Sequence, residues 1–182
     1  MSSPVLGGRW EDQQLNFVAT GTGGTPALKT VYRGELELFT FTSGGIDQIG
    51  GALELTHGYQ EGTPLVLHVH WATNSTDATG GNVLWAYEYS LANPADGSAE
   101  TYTGFANVTQ TVAAGNRQYV TNSFDIATIA NAAGTVSTLF CFNLKRIGSN
   151  VLDTYPVSVY LKAVSLHLKL DTIGSNGQNS KN

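Results

Sequence analysis

Pro64-Leu65-Val66-Leu67-His68-Val69-His70-Trp71-Ala72 is the stretch that decides the fold class. Its residues alternate at period two, with Leu65, Leu67, Val69 and Trp71 on one face and Val66, His68 and His70 on the other. A β-strand with one face in a core gives this pattern, because successive side chains leave the backbone on opposite sides. The segments around it repeat the theme. Val83, Trp85, Tyr87 and Tyr89 alternate with Asn82, Leu84, Ala86 and Glu88, and further on Val136, Thr138, Phe140, Phe142 and Leu144 share a face. Near the C-terminus the apolar face switches from Val157, Val159 and Leu161 to Val164, Leu166, Leu168 and Leu170, which predicts a β-bulge near Lys162.

Extending the same test along the chain gives eight expected strands, over 31–42, 50–56, 64–72, 82–91, 100–112, 117–126, 135–147 and 155–171. Only 126–133 reads as a helical turn, and nowhere does a 3.6-residue apolar period run beyond about two turns. Strands of this length, joined by short or moderate loops without crossover helices, fit an all-β antiparallel β-sandwich. Eight of them fit a jelly roll, with an immunoglobulin-like sandwich as the alternative. The Gly- and Thr-rich residues 1–28 read as an extended, flexible N-terminal arm, 29–171 as the sandwich domain, and 172–182 as a flexible tail.

Composition narrows the function classes. The 182 residues suffice for one domain, and only 13% of them are charged, about half the usual share. A net charge of −5 offers no basic footprint for a polyphosphate, so no nucleic-acid partner is expected. No apolar run approaches eighteen residues, so no membrane span is expected either. Met1-Ser2-Ser3-Pro4 lacks the basic and apolar regions of a signal peptide, and the single cysteine, Cys141, forms no intrachain disulfide. Both point to synthesis in a cytosol.

Chemistry-bearing constellations are few. His68 and His70 share a strand face, and with His57 and His167 they are the metal-ligand candidates. The segment from Gly62 to His70 has the spacing with which the first cupin motif begins. Asn74 and Ser75 stand where that family places its carboxylate, and no Pro-x-Gly precedes His167. A structural histidine cluster is the competing account, and neither metal nor cofactor is expected. Glu35 and Glu37 share a face, as a glycosidase pair would, yet they are equally the polar half of an amphipathic strand. Asn74, Asp77 and Asn82 offer oxygens to calcium without the spacing of an EF-hand loop. No Gly-x-Ser-x-Gly occurs, Cys141 between Phe140 and Phe142 is expected to be buried and inert, and Gly21-Thr-Gly-Gly-Thr25 opens no helix as a phosphate loop would. Trp71, Trp85, Tyr87 and Tyr89 make either a sugar-binding platform or a core.

The order of several short motifs carries more. Leu53-Glu-Leu-Thr-His57-Gly-Tyr-Gln-Glu61-Gly62-Thr63-Pro64, then His68-Val-His70-Trp71, then Gly81-Asn-Val83-Leu-Trp85-Ala-Tyr-Glu88-Tyr89 resembles a family of small tailed-bacteriophage virion proteins. Cys141-Phe-Asn-Leu-Lys-Arg146-Ile-Gly148, Asp153-Thr154-Tyr155 and Val164-Ser-Leu-His167-Leu-Lys-Leu-Asp171 are similar to that family's C-terminal half, in the same order. Members often carry a proline or a further histidine just before the His-x-His pair, where this chain has Val66 and Leu67. The resemblance implies an all-β virion component made in the host cytoplasm, and implies no catalysis. Jelly-roll cement proteins that sit as trimers on phage capsids are similar in size and strand count. The expected role is therefore a capsid decoration protein, a homotrimer bound to the major capsid protein or other virion subunits. Pro4, Trp10 and Phe17 of the arm would make the partner contacts. The alternative is a tail or neck component acting as adaptor, fibre or receptor-binding module, and a cupin-like metal-binding protein is the third expectation.

Overall fold

The computed structural model describes residues 8–21, 23–34, 36–73, 79–93, 101–102, 106–114, 121–129 and 137–171. Its strands are β1 (Arg9–Gln14), β2 (Asn16–Ala19), β3 (Thr25–Pro26), β4 (Leu28–Tyr32), β5 (Leu36–Phe41), β6 (Ile46–Glu54), β7 (Leu65–Thr73), β8 (Gly81–Ala92), β9 (Thr101–Tyr102), β10 (Ala106–Val112), β11 (Thr121–Ile129), β12 (Leu139–Ile147) and β13 (Val159–Leu170). They form two sheets. The first runs β11-β7-β13-β5-β4 with β1 added to β13, and the second runs β10-β8-β12-β6-β2 with β3 on β6 and β9 on β8. Strands β5, β6 and β7 alternate between sheets, β8 and β10 stay in the second, and β11, β12 and β13 alternate again. That order, with one member of each sequence-distant pair lying between its neighbours, is the eight-stranded jelly roll.

The period-two faces explain the packing. Leu65, Leu67, Val69 and Trp71 of β7 meet Val83 and Trp85 of β8 and Phe140, Phe142 and Leu144 of β12 in one buried cluster. Trp85 sits at its centre, 5.9 Å from the Trp71 ring and 5.1 Å from the Phe41 ring, both edge-on. Each such side chain contributes about 1.5–3 kcal/mol through burial. The bulge expected near Lys162 is present: the register of β13 against β7 slips between Leu161 and Ala163, which returns Val164, Leu166 and Leu168 to the core.

Several boundaries differ from expectation for local reasons. The strand expected over 31–42 is a hairpin, because Arg33 and Gly34 both take positive φ and turn β4 back onto β5. Residues 155–158 lie outside β13, since the Tyr155 and Val157 carbonyls turn toward the Arg146 guanidinium instead of a neighbouring strand. The turn expected over 126–133 is strand as far as Ile129, paired with Leu65–Leu67 after a bulge between Asp125 and Ala127; 130–133 lie outside the described residues.

The N-terminal segment is extended but lies on the sandwich. β1 pairs with β13 from Arg9–Leu170 to Gln14–Ser165, and β2 pairs with β6. Between them Leu15 is buried and its N–H bonds the Val164 carbonyl at 2.9 Å. Gly51 makes room for this approach. A Cβ there would run into the Asn16 carbonyl and come within 2.7 Å of the Phe142 ring. Pro4 and the tail at 172–182 lie outside the described residues.

Candidate interaction face

The outer surface of the first sheet gathers three of the four histidines. Strand alternation sends His68 and His70 outward from β7, and the bulge in β13 puts Ala163, Ser165 and His167 on the same side. Ala163 stands opposite His70 and Ser165 opposite His68, so His167 falls one step along the stripe. The His68 ring lies 4.5 Å from that of His70, edge-on, and stacks on that of His167 at 4.4 Å. From β1, Asp12 faces His167, with Oδ1 2.8 Å from Nε2, though the pair is not aligned as a hydrogen bond.

Burial depresses the pKa of His70, helped by the neighbouring His68, opposed by Asp12, and lowered further by His167 and Lys162. Among the described residues no group of three His, Cys, Asp or Glu side chains is placed to hold a metal ion. His57 lies in the β6–β7 connection, where its Nε2 shares a hydrogen bond of 3.1 Å with Ser137 Oγ. Asn74 and Asp77 lie outside the described residues. Asn82 is engaged in structure: its carbonyl accepts from Thr154 N and Tyr155 N, and its side-chain oxygen accepts from Thr111 Oγ1.

The same face becomes apolar toward its edge. Tyr32, Ala72 and Tyr160 form a small buried cluster with Leu38 against it, the two tyrosine rings 5.1 Å apart and Lys162 Nζ 5.6 Å above the Tyr32 ring. At the margin the β4–β5 hairpin leaves Leu28 70%, Val31 55% and Leu36 61% exposed. Of the arm residues expected to meet partners, Trp10 is half-exposed beneath Lys169, whereas Phe17 is packed 5.6 Å from Phe39 at the core's edge.

A second exposed apolar feature is held from beneath by a buried ion pair. Arg146 follows Phe140, Phe142 and Leu144 on the core face of β12 and is fully buried with Asp153. Its Nε and Nη2 donate to the two Asp153 oxygens at 2.9 and 2.7 Å. The remaining donors reach the carbonyls of Phe41, Val157 and Tyr155. Asp153 also accepts from Leu84 N at 3.0 Å. This clamp fixes the loop between β12 and β13, in which Asn150 closes a turn onto Ile147 N-terminally and accepts from Leu152 N through its side chain. At the tip Val151 is 88% exposed, with Leu152 exposed beside it. Sequence reasoning missed this pair, although the signal was there: Arg146 continues the period-two row of core residues.

The outer face of the second sheet has a shallow trough of about 390 Å³ floored by Gly50, Ala52, Ser90 and Cys141. Asn143 Nδ2 donates to Glu88 Oε1 at 2.7 Å along one side. Cys141, expected to be buried, is exposed because its even-numbered neighbours Phe140 and Phe142 take the core side. The proposed sugar platform is core: Trp71 and Trp85 are fully buried, and Tyr87 and Tyr89 pack against the cluster. Glu37 is exposed on β5, and Glu35 lies outside the described residues.

No family model matches the chain, and no curated protein matches it. Among solved structures it is similar to the enzymatically active domain of bacteriophage CBA120 tailspike protein 4, at 10% identity and TM-score 0.38 over 90% of this chain. The chain spans about one fifth, 19%, of that tailspike chain. It is also similar to the CBM22-2 xylan-binding domain of Xyn10C from Paenibacillus barcinonensis, at 18% identity and TM-score 0.33, covering 87% of this chain and 91% of that one. A third similarity is to TmCBM61, solved with β-1,4-galactotriose, at 10% identity and TM-score 0.31, covering 89% and 88%.

Proposed function

We propose that the chain is a structural, non-catalytic subunit of a tailed-bacteriophage particle, a decoration protein that binds across adjacent capsomers of the head. The observation that carries this reading is the clamped loop tip. Val151 and Leu152 stand in solvent on a turn whose base is fixed by Arg146 and Asp153, whose side chains are both fully buried. Apolar side chains held out on a rigid support suit insertion into a partner's pocket, because little conformational entropy is lost on docking. The residues that build the clamp, from Cys141 to Gly148 and from Asp153 to Tyr155, are among those that carry the resemblance to phage virion proteins.

The test uses particles lacking this chain and purified full-length protein. Wild-type protein is expected to rebind empty heads and restore resistance to heat and chelator. Val151→Asp with Leu152→Asp is expected to abolish rebinding while leaving the thermal midpoint unchanged. Rebinding to isolated tails or necks in place of heads would overturn the capsid assignment in favour of the tail-component alternative. Binding to neither, or full rebinding by the double variant, would refute the loop-tip reading.

A further inference from the structure

The edge of the first sheet can be matched to a partner by register. Strand β4 ends that sheet, and among the described residues no strand pairs with its outer side. An open edge presents a row of main-chain donors and acceptors to any extended chain, and proteins usually blunt it with charge, proline or a bulge. Here the blunting is weak. Lys29 is the sole charge between Leu28 and Tyr32, and its Nζ lies 5.0 Å above the Phe39 ring of its own sheet. Leu28 and Val31 stay exposed beside it.

We infer that β4 pairs antiparallel with β4 of a second copy of this chain about a two-fold axis at Thr30. A two-fold axis perpendicular to the sheet requires a residue to face its own copy, and the choice of residue is decided by charge. Centred on Val31, Lys29 would face Arg33 of the second copy, a like-charge pair. Centred on Lys29, the pairing would draw in Pro26, which has no N–H to donate. Centred on Thr30, all five residues of β4 take part: Leu28 faces the second copy's Tyr32, and Lys29 faces its Val31. No like charges meet. The pairing forms about four to six main-chain hydrogen bonds and joins the two first sheets into one continuous sheet. The contact is isologous, so it closes at two copies and leaves the Val151–Leu152 tip out of its register.

Full-length protein in a sedimentation-equilibrium concentration series is expected to show a monomer–dimer equilibrium. Two single substitutions at one exposed position test the register. Val31→Glu sets a carboxylate opposite the second copy's Lys29, and Val31→Lys sets an ammonium there. Both remove the same apolar side chain, and two copies of the pair form per dimer, so their dimer dissociation constants are expected to differ about tenfold, with Val31→Glu the tighter. Within one chain Val31 faces Glu37 of β5, so Val31→Glu is expected to lower the thermal midpoint slightly relative to Val31→Lys, the reverse of the order expected for dimerisation; wild-type-like circular dichroism verifies that both variants fold. A monomer at every concentration, a trimer, or equal constants for the two variants would overturn the proposal.

Discussion

Replacing Arg146 with Met is the most informative single change, because the residue serves two structural duties at once. Its guanidinium neutralises a fully buried carboxylate and also satisfies three main-chain carbonyls, those of Phe41, Tyr155 and Val157. Met fills similar volume but leaves the Asp153 carboxylate buried beside the Leu84 N–H with its guanidinium partner gone. Breaking a buried pair from one side costs about 3–5 kcal/mol. In a chain of this size that lowers the thermal midpoint by roughly 6–20 °C. Urea unfolding followed by tryptophan fluorescence reads the loss, since Trp71 and Trp85 are both fully buried and Trp85 touches Phe41. Asp153→Asn and the double variant complete a cycle. Because the two side chains act as one unit, the double loss should fall short of the sum of the single losses by about 0.5–3 kcal/mol. The double variant should still lie below wild type, because the Arg146 donors to the Phe41, Tyr155 and Val157 carbonyls are lost with the side chain. A loss below about 1 kcal/mol for Arg146→Met, or strictly additive effects, would refute the account of the clamp.

Gly51→Ala should force β2 away from β6, since the new methyl meets the Asn16 carbonyl and the Phe142 ring; a loss of about 1–3 kcal/mol is expected, with faster hydrogen exchange in β2, and unchanged exchange there would contradict the close approach. Stability should fall on acidification, because His70 titrates below its ordinary 6.5 in the fold and the unfolded chain takes up the proton first. Its contribution is complete above pH 6.5 and is lost as pH falls from there through the lowered folded value, so the urea midpoint should drop as the pH falls below about 6.5 and His70→Gln should flatten part of that drop. A drop of the same size in the variant would exclude His70 as a source. Cys141 should react stoichiometrically with a thiol reagent in the folded protein, and protection until unfolding would contradict its exposed position on β12.

The fold was legible wherever one face of a strand was apolar. Leu65 to Trp71, Val83 to Tyr89 and Phe140 to Leu144 announced buried faces through alternation alone, and the change of parity around Lys162 located the bulge. Alternation says nothing about a turn inside an apolar run, so the reversal at Arg33–Gly34 passed as one strand; Gly34 was its cue. It is equally silent about an edge strand with little apolar pattern. Arg9–Gln14 is almost wholly polar and is held by pairing with β13, and the signal that a strand docks beside β6 was the consecutive Gly50-Gly51, which reads locally as weakness in a strand but removes the side chains that would block Asn16 and Phe17.

The site was legible in its residues and not in its geometry. Period two placed His68 and His70 together, but His167 joins them because a bulge shifts the parity of β13, and the outcome is a set of ring contacts, one edge-on and one stacked, rather than a three-ligand group among the described residues. Identity alone could not separate those two arrangements. The aromatic residues show the same ambiguity from the other side: Trp71 and Trp85 have the spacing of a sugar platform and of a core, and the choice depends on whether a second sheet covers them. Arg146 is the instructive case. A charged residue in phase with Phe140, Phe142 and Leu144 violates the pattern that folds the strand, and such a violation is tolerated only where partners await it. All but the Phe41 carbonyl lie in the following loop, which has no periodicity to read. The loop therefore owes its shape to the one residue of β12 that breaks the rule, and the exposed Val151–Leu152 tip owes its rigidity to the same cause.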